Sequence, residues 1–278
     1  MIAALERGLR VLACFTQAEP VLRLSDIADR LGIPAGSAHR TLRSLEALGY
    51  IAQDEATRHY RVGLRALDLT QACIAGLVVP DVALPFLEEL AEATRRSANL
   101  AILDGTEIVF AARASTVRLM HVNLTIGSRL PAHATSMGKV LLASLTTAEL
   151  HERLRPGLLT RFTPATLADL QALETELAVV RDRGYAFSLA ELEPNLASVA
   201  APLRNARGQV VAAINVATFV ADMRAMGMGP DAHAEALVAS LVPHVVHTAH
   251  IISGALGFRA GAQQTVGARV LHDRGHLS

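Results

Sequence analysis

The chain has 278 residues, of which 51% are hydrophobic and 19% charged, so it has room for two domains and a sizeable core and is unlike a long disordered segment. Its 26 basic and 26 acidic side chains cancel, so bulk charge points to no nucleic acid or acidic surface, and any such partner has to be argued from where individual arginines face. No apolar run is long enough to span a bilayer and no cleavable leader opens the chain, so a cytoplasmic protein with no membrane partner is expected; Cys14 and Cys73 give neither a disulfide framework nor a zinc set and read as buried thiols.

Leu5, Leu9, Leu12 and Phe15 recur at helical spacing and predict a packing helix. Leu24 to Tyr50, LSDIADRLGIPAGSAHRTLRSLEALGY, then reads as two short helices around a tight corner. Ser25 suits the N-cap of the first, Asp26 and Asp29 complement its positive end, Gly32 suits a left-handed C-terminal residue, and Pro34 suits the start of the second. At about 100° per residue, the second helix puts Ala35, Ala38, Leu42, Leu45 and Leu48 in one apolar stripe. Gly36, Arg40, Arg43 and Ser44 fall opposite, flanked by Ser37 and His39. Small residues near the helix start allow close approach, and guanidinium groups reach phosphates or guanine edges. An amphipathic helix with a merely solvated charged face fits the same residues.

The following segment favours the DNA reading. Tyr50–Gln53 and Arg58–Val62 read as two strands around the turn 54–57, a wing that carries Arg58 and Arg61. Over residues 1–63, eight arginines face seven acids.

Residues 63–76 read as a connector helix and 82–95 as an amphipathic helix. From Ala98 the period approaches two: NLAILD, EIVFAARA and RLMHVN (118–123) read as strands of an antiparallel sheet. GSRLPAHATSMGKVLLASL is a loop running into a helix near Ser136, and TLADLQALETELAVVRDRG is a helix closed by Gly184. YAFSL, ASVAAPLR and VVAAINVAT are strands, and a last helix spans 231–255. Strands flanked by helices suggest a ligand-binding module of the GAF or PAS kind.

Thr135, Ser136 and Met137, at the helix start after His133, suit an anion cradle of main-chain N–H groups and hydroxyls; simple capping of the helix fits them equally. Met137-Gly138-Lys139 departs from a phosphate-binding loop, with His133 and Val140 in place of its Gly and Ser/Thr, and no G-x-S-x-G elbow occurs. His244, His247 and His250 drift around their helix with no carboxylate or cysteine to complete a set, and read as surface or interface residues. No catalytic residue, metal or cofactor is assigned.

The winged helix-turn-helix, the connector, GSRLPAHATSMGKVLLA and ELEPNLASVAAPLRNARGQVVAAINVAT together resemble the IclR family of bacterial transcriptional regulators over about residues 1–256. The last two stretches are most similar to the branch controlling protocatechuate, 4-hydroxybenzoate and β-ketoadipate catabolism. The resemblance implies an effector that is an aromatic or dicarboxylic acid, held by Thr135, Ser136 and Met137, by Ser188, by Ser198, and by Asn215 and Ala217. Family members often have Asp where this chain has Ser188, and Gly where it has Asn195. Arg113, Arg118 and His133 are further candidate carboxylate partners, since arginine grips carboxylates with two parallel hydrogen bonds.

The expected architecture is α+β: a winged helix-turn-helix over 1–63, a connector helix over 64–78, a GAF-like α/β effector-binding domain over 79–258, and a flexible tail over 259–278. The DNA-facing set is Ser25, Gly36, Ser37, His39, Arg40, Arg43, Ser44, Arg58 and Arg61. Expected partners are a double-stranded operator, a small organic acid and further copies of the chain, as dimer or tetramer, with RNA polymerase kept as a further candidate. The rivals are an enzyme with His133 as base, and a ligand-binding module whose N-terminal helices contact protein.

Overall fold

The computed structural model describes residues 2–16, 18–76, 78–115, 124–154, 159–219 and 230–259. The chain divides into two compact units, Met1–Leu77 and Val78–Ser278. In the first, helix α1 (Ala3–Ala13), strand β1 (Val21–Leu22), helices α2 (Leu24–Leu31) and α3 (Ala35–Ala47), strands β2 (Ile51–Gln53) and β3 (Tyr60–Val62) and helix α4 (Ala66–Ala75) follow in order.

The corner between α2 and α3 is built as its residues dictate. Gly32 sits at φ 62°, ψ 37°, a left-handed conformation that glycine adopts without steric cost, and ends α2. The Pro34 carbonyl then accepts the Ser37 and Ala38 N–H groups at 2.8 and 3.1 Å, opening α3. Ser25 is not the N-cap. Arg23 holds that position because the Asp26 carboxylate reaches back to its backbone N–H at 2.9 Å, which keeps Asp26 below the usual carboxylate range. Ser25 lies inside the first turn instead.

Val11, Ile27, Leu42, Ile51 and Tyr60 make the core of this unit, with Leu12, Phe15 and Leu45 packed beside them. Two expected stripes are corrected at their ends. Leu5 and Leu9 are 61% and 59% exposed, because α1 meets the core only at its C-terminal half, around Val11. Ala35 and Leu48 are exposed where α3 overshoots the core at either end. The wing has a third strand that the sequence reading did not find: β1 pairs with β3, Leu22 opposite Tyr60. Cys14 is buried as expected, whereas Cys73 is exposed on α4.

The second unit contains helix α5 (Val78–Thr94), strands β4 (Ala98–Asp104), β5 (Glu107–Ala114) and β6 (Arg129–Pro131), a 3-10 turn at Ala132–Ala134, helices α6 (Ser136–Ala143), α7 (Thr147–Arg153) and α8 (Leu170–Arg183), strands β7 (Ala186–Leu189), β8 (Leu196–Arg204) and β9 (Val210–Phe219), and helix α9 (Pro230–Ala255). The strands form one antiparallel sheet of six in the order β6-β5-β4-β9-β8-β7. Helices α6 and α8 pack on one face, α5 and α9 on the other. Helix α5 begins four residues earlier than expected, at Val78, because Pro80 sits in its first turn, where a missing N–H leaves no bond unmade. The expected strand at 118–123, Arg118 with it, and residues 260–278 of the expected tail lie outside the described residues.

Helix α6 is buried along its whole length. Gly138 lets it lie against the 3-10 turn, since a Cβ there would stand 2.0 Å from the Ala132 carbonyl oxygen. Lys139, 2% exposed, is tolerated inside because its ammonium meets Glu191 at 2.5 Å.

Candidate functional site

The first unit presents its candidate surface on α3. Gly36, His39, Arg40, Arg43 and Ser44 are exposed and Ser37 is half-buried, while Ala38 and Leu42 on the opposite side are in the core. Arg40 donates to the Ser37 hydroxyl at 3.3 Å and Ser44 to the Arg40 carbonyl at 3.0 Å. Arg43 pairs with Glu46 at 3.0 Å, an exposed i,i+3 pair that costs little to break. Ser25 is exposed on α2 and Arg61 on β3. Arg58 closes the wing turn in a left-handed conformation at φ 60°. Asp54 holds that turn by accepting the Thr57 N–H at 2.7 Å and hydroxyl at 2.9 Å, bonds that keep its carboxyl below the usual range. All nine DNA-facing candidates therefore have some exposure, on one unit. The sequence reading missed Arg23, which donates to His59 beside the wing at 3.1 Å.

The second unit encloses a cavity of about 170 Å³ between the sheet and the start of α6. Sheet register explains how its polar lining is assembled. Arg113 on β5, Asn99 on β4 and Asn215 on β9 are successive cross-strand partners. Two residues further along β9, and so on the same face, Ala217 opposes Ser198 on β8, which opposes Ser188 on β7. Strict alternation from Ile108 and Phe110 would turn Arg113 to the far face. The β-bulge beside Leu100 and Ala101 adds one residue to β5, and the side chain is re-aimed into the cavity.

Arg113 donates to the Leu124 carbonyl at 2.5 Å and the Ser97 hydroxyl at 3.4 Å, and Arg96 donates to the Thr218 hydroxyl. With Arg95 they put three guanidinium groups around the cavity against one carboxylate, Glu193. None of the three has a carboxylate partner among the described residues. Positive charge held in place without a counterion suits a small anion. Ile108, Phe110, Leu124 and Met137 supply an apolar wall.

Seven of the nine effector candidates line this cavity: Arg113, Thr135, Met137, Ser188, Ser198, Asn215 and Ala217. Ser136 does not; it is fully buried and its hydroxyl bonds Ser198 at 2.7 Å, so it props the wall from behind. His133 does not either, because its Nε2 is bonded to the Thr160 carbonyl at 2.9 Å and its ring lies by Phe162. The base that an enzymatic reading requires is thereby outside the cavity. Thr135 caps α6, accepting the Gly138 N–H at 3.2 Å. Charge in the cavity thus comes from arginines more than from the helix start. Arg95, Arg96 and Asn99 were missed by sequence reasoning; the polar Asn99 inside the apolar run of β4 was the available signal.

Glu191 stands behind the Ser188 wall. Burial pushes its carboxyl above the usual range, held back by Lys139 and Ser188. Among the described residues, its Oε2 has no hydrogen-bond partner. His244, His247 and His250 are all exposed on α9.

A family model for the IclR helix-turn-helix domain matches residues 4–55, and one for the bacterial transcriptional regulator IclR C-terminal region matches residues 71–240. The chain belongs to the IclR family of bacterial transcriptional regulators. This regulator is 37% identical to the Pca regulon regulatory protein of Pseudomonas putida over 79% of its own length and 75% of that protein. Its fold matches that of a transcriptional regulator from Rhodococcus sp. RHA1 with TM-score 0.76 and 37% identity, over 92% of this chain and 98% of that one. An IclR homologue from Microbacterium hydrocarbonoxydans, solved with 4-hydroxybenzoate, matches with TM-score 0.73 and 26% identity, over 91% and 99% of the two chains.

Proposed function

We propose that this IclR regulator reads an operator with α3 and adjusts its hold when a small aromatic or dicarboxylic acid enters the cavity of its second unit, so controlling a catabolic operon. The observation that carries the sensing half is the set of three arginines without carboxylate partners, among the described residues, around a partly apolar cavity. The Pseudomonas and Microbacterium relatives support it, being named for the Pca regulon and solved with 4-hydroxybenzoate.

In this reading Arg40 and Arg43 approach base edges or phosphates through the gap left by Gly36, with Ser37, His39 and Ser44 alongside. Ser25, Arg58 and Arg61 hold the backbone. The chain works in the cytoplasm as a homodimer or dimer of dimers, matching a two-fold symmetric operator, and turns over nothing. Leu5 and Leu9 on α1, Leu64 just before α4 and Leu67 in its first turn are exposed apolar side chains and support pairing, since such residues are common at interfaces. Residues 1–63 read DNA, 64–78 connect, and 79–258 sense. The acid changes occupancy only by favouring one arrangement of paired DNA heads. RNA polymerase contacts fit either outcome on transcription.

Fluorescence anisotropy on the promoter fragment upstream of the regulated operon tests this at two salt concentrations, with and without acid. Affinity is expected to fall steeply with salt and to move when acid is added. Salt-insensitive binding, or none, would remove the DNA half of the proposal.

A further inference from the structure

The cavity wall holds a hydrogen-bonding group that nothing among the described residues uses. Asn99 is 3% exposed and lines the cavity. Its Nδ2 donates to Asn215 Oδ1 at 2.9 Å, across the directly opposed pair of β4 and β9, and its Oδ1 has no partner among the described residues. A buried carbonyl oxygen with no donor is costly, and such groups in native proteins call for an explanation. The neighbour with donors to spare, Arg113, is directed to the Leu124 carbonyl and the Ser97 hydroxyl instead.

We infer that the occupant supplies the donor: the cavity selects acids that carry a hydroxyl, and Asn99 is the specificity-determining residue that reads it. This rests on the acid-sensing reading above and narrows it. The carboxylate goes to the arginines, the ring or chain to Phe110 and Met137, and the hydroxyl donates to Asn99 Oδ1. A dicarboxylate at neutral pH brings two acceptors and no donor, so its second carboxylate faces the Asn99 oxygen as acceptor against acceptor. A site built to bond a hydroxyl rejects the analogue that lacks it far more strongly than an apolar slot rejects a missing methylene.

Calorimetry on the full chain tests this with benzoate, its 2-, 3- and 4-hydroxy derivatives, their methoxy ethers, and adipate. At least one hydroxybenzoate is expected to bind about tenfold or more tighter than benzoate, than its own ether and than adipate. Asn99→Leu is expected to bring that hydroxybenzoate to within about twofold of benzoate. The wild-type series decides alone should the variant fail to fold. Benzoate, an ether or adipate binding as tightly as every hydroxybenzoate overturns the assignment of Asn99 and leaves the acid sensor standing. No binding by any of these acids overturns both.

Discussion

The two units of this regulator carry their candidate sites in opposite ways. On α3 the candidate surface is the outside of a helix, its charges are solvated, and its core contacts lie on the other side, around Leu42. In the second unit the site is enclosed by the sheet, and charged groups such as Lys139 and Glu191 are buried behind its wall. Function and stability are therefore separable in the first unit and entangled in the second. A substitution on the outer face of α3 meets solvent and leaves the fold undisturbed, whereas one near the cavity meets tightly packed neighbours.

Paired glycine substitutions should show the largest difference. Gly138→Ala drives a Cβ to 2.0 Å from the Ala132 carbonyl, a clash with backbone that has no flexible end to yield. It is expected to destabilise the second unit by about 3 kcal/mol or more, the upper end of overpacking effects. Gly36→Ala meets nothing within 4 Å, so its melting temperature is expected to hold or rise slightly. Equal losses in thermal melts would erase the contrast.

Charge removal comes next. Lys139→Met leaves Glu191 buried without its partner and is expected to cost about 3–5 kcal/mol in denaturant titrations, with much of the loss recovered in the Lys139→Met/Glu191→Leu double variant. Arg43→Ala breaks only the exposed pair with Glu46 and is expected to cost about 1 kcal/mol or less. Arg40→Ala is expected to weaken operator binding by about 1–3 kcal/mol with no change in melting, read by gel shift. An unaltered operator affinity would remove α3 as the reading helix.

The smallest expected difference is in pH dependence, and its sign separates the buried Glu191 from the exposed Asp26 and Asp54. Glu191 keeps its proton to higher pH in the folded chain than in the unfolded one. The stability linked to it is present below the ordinary carboxylate pKa and is lost as pH rises through its raised value. Asp26 and Asp54 behave the other way: their stability is present above the ordinary value and is lost as pH falls through their lowered ones. Denaturant titrations across the acid range should therefore show Glu191→Gln removing a downward slope with rising pH, and Asp26→Asn removing an upward one. Matching slopes in the two variants would show that one of the two environments is misread.

Legibility followed the range of the interactions. The corner at Gly32 and Pro34, the inward Ala38 and Leu42 and the outward Arg40 and Arg43 depend on helical period and local caps, and all were readable. Ser25 misled because Asp26, one residue on, reaches back to the Arg23 N–H and moves the cap. The cavity depends on register across strands distant in sequence, such as Asn99 opposite Asn215, and on a bulge that re-aims Arg113. No local pattern encodes either, so Arg96 and Asn99 went unnoticed. Ser198, Asn215 and Ala217 were found only because the chain resembled a family. His133 has the side chain of a ligand-binding group, but the Thr160 carbonyl, distant in sequence, holds its ring.

Promoter binding followed by anisotropy, with and without a saturating hydroxybenzoate, for the wild type and for Arg113→Gln, tests most directly the proposal that the arginine-lined cavity governs DNA reading by α3. The expected result is an affinity that moves with the acid in the wild type, that is indifferent to the same acid in Arg113→Gln, and that falls with salt alike in both. A wild-type affinity unmoved by acid that calorimetry shows to be bound in the cavity would contradict it.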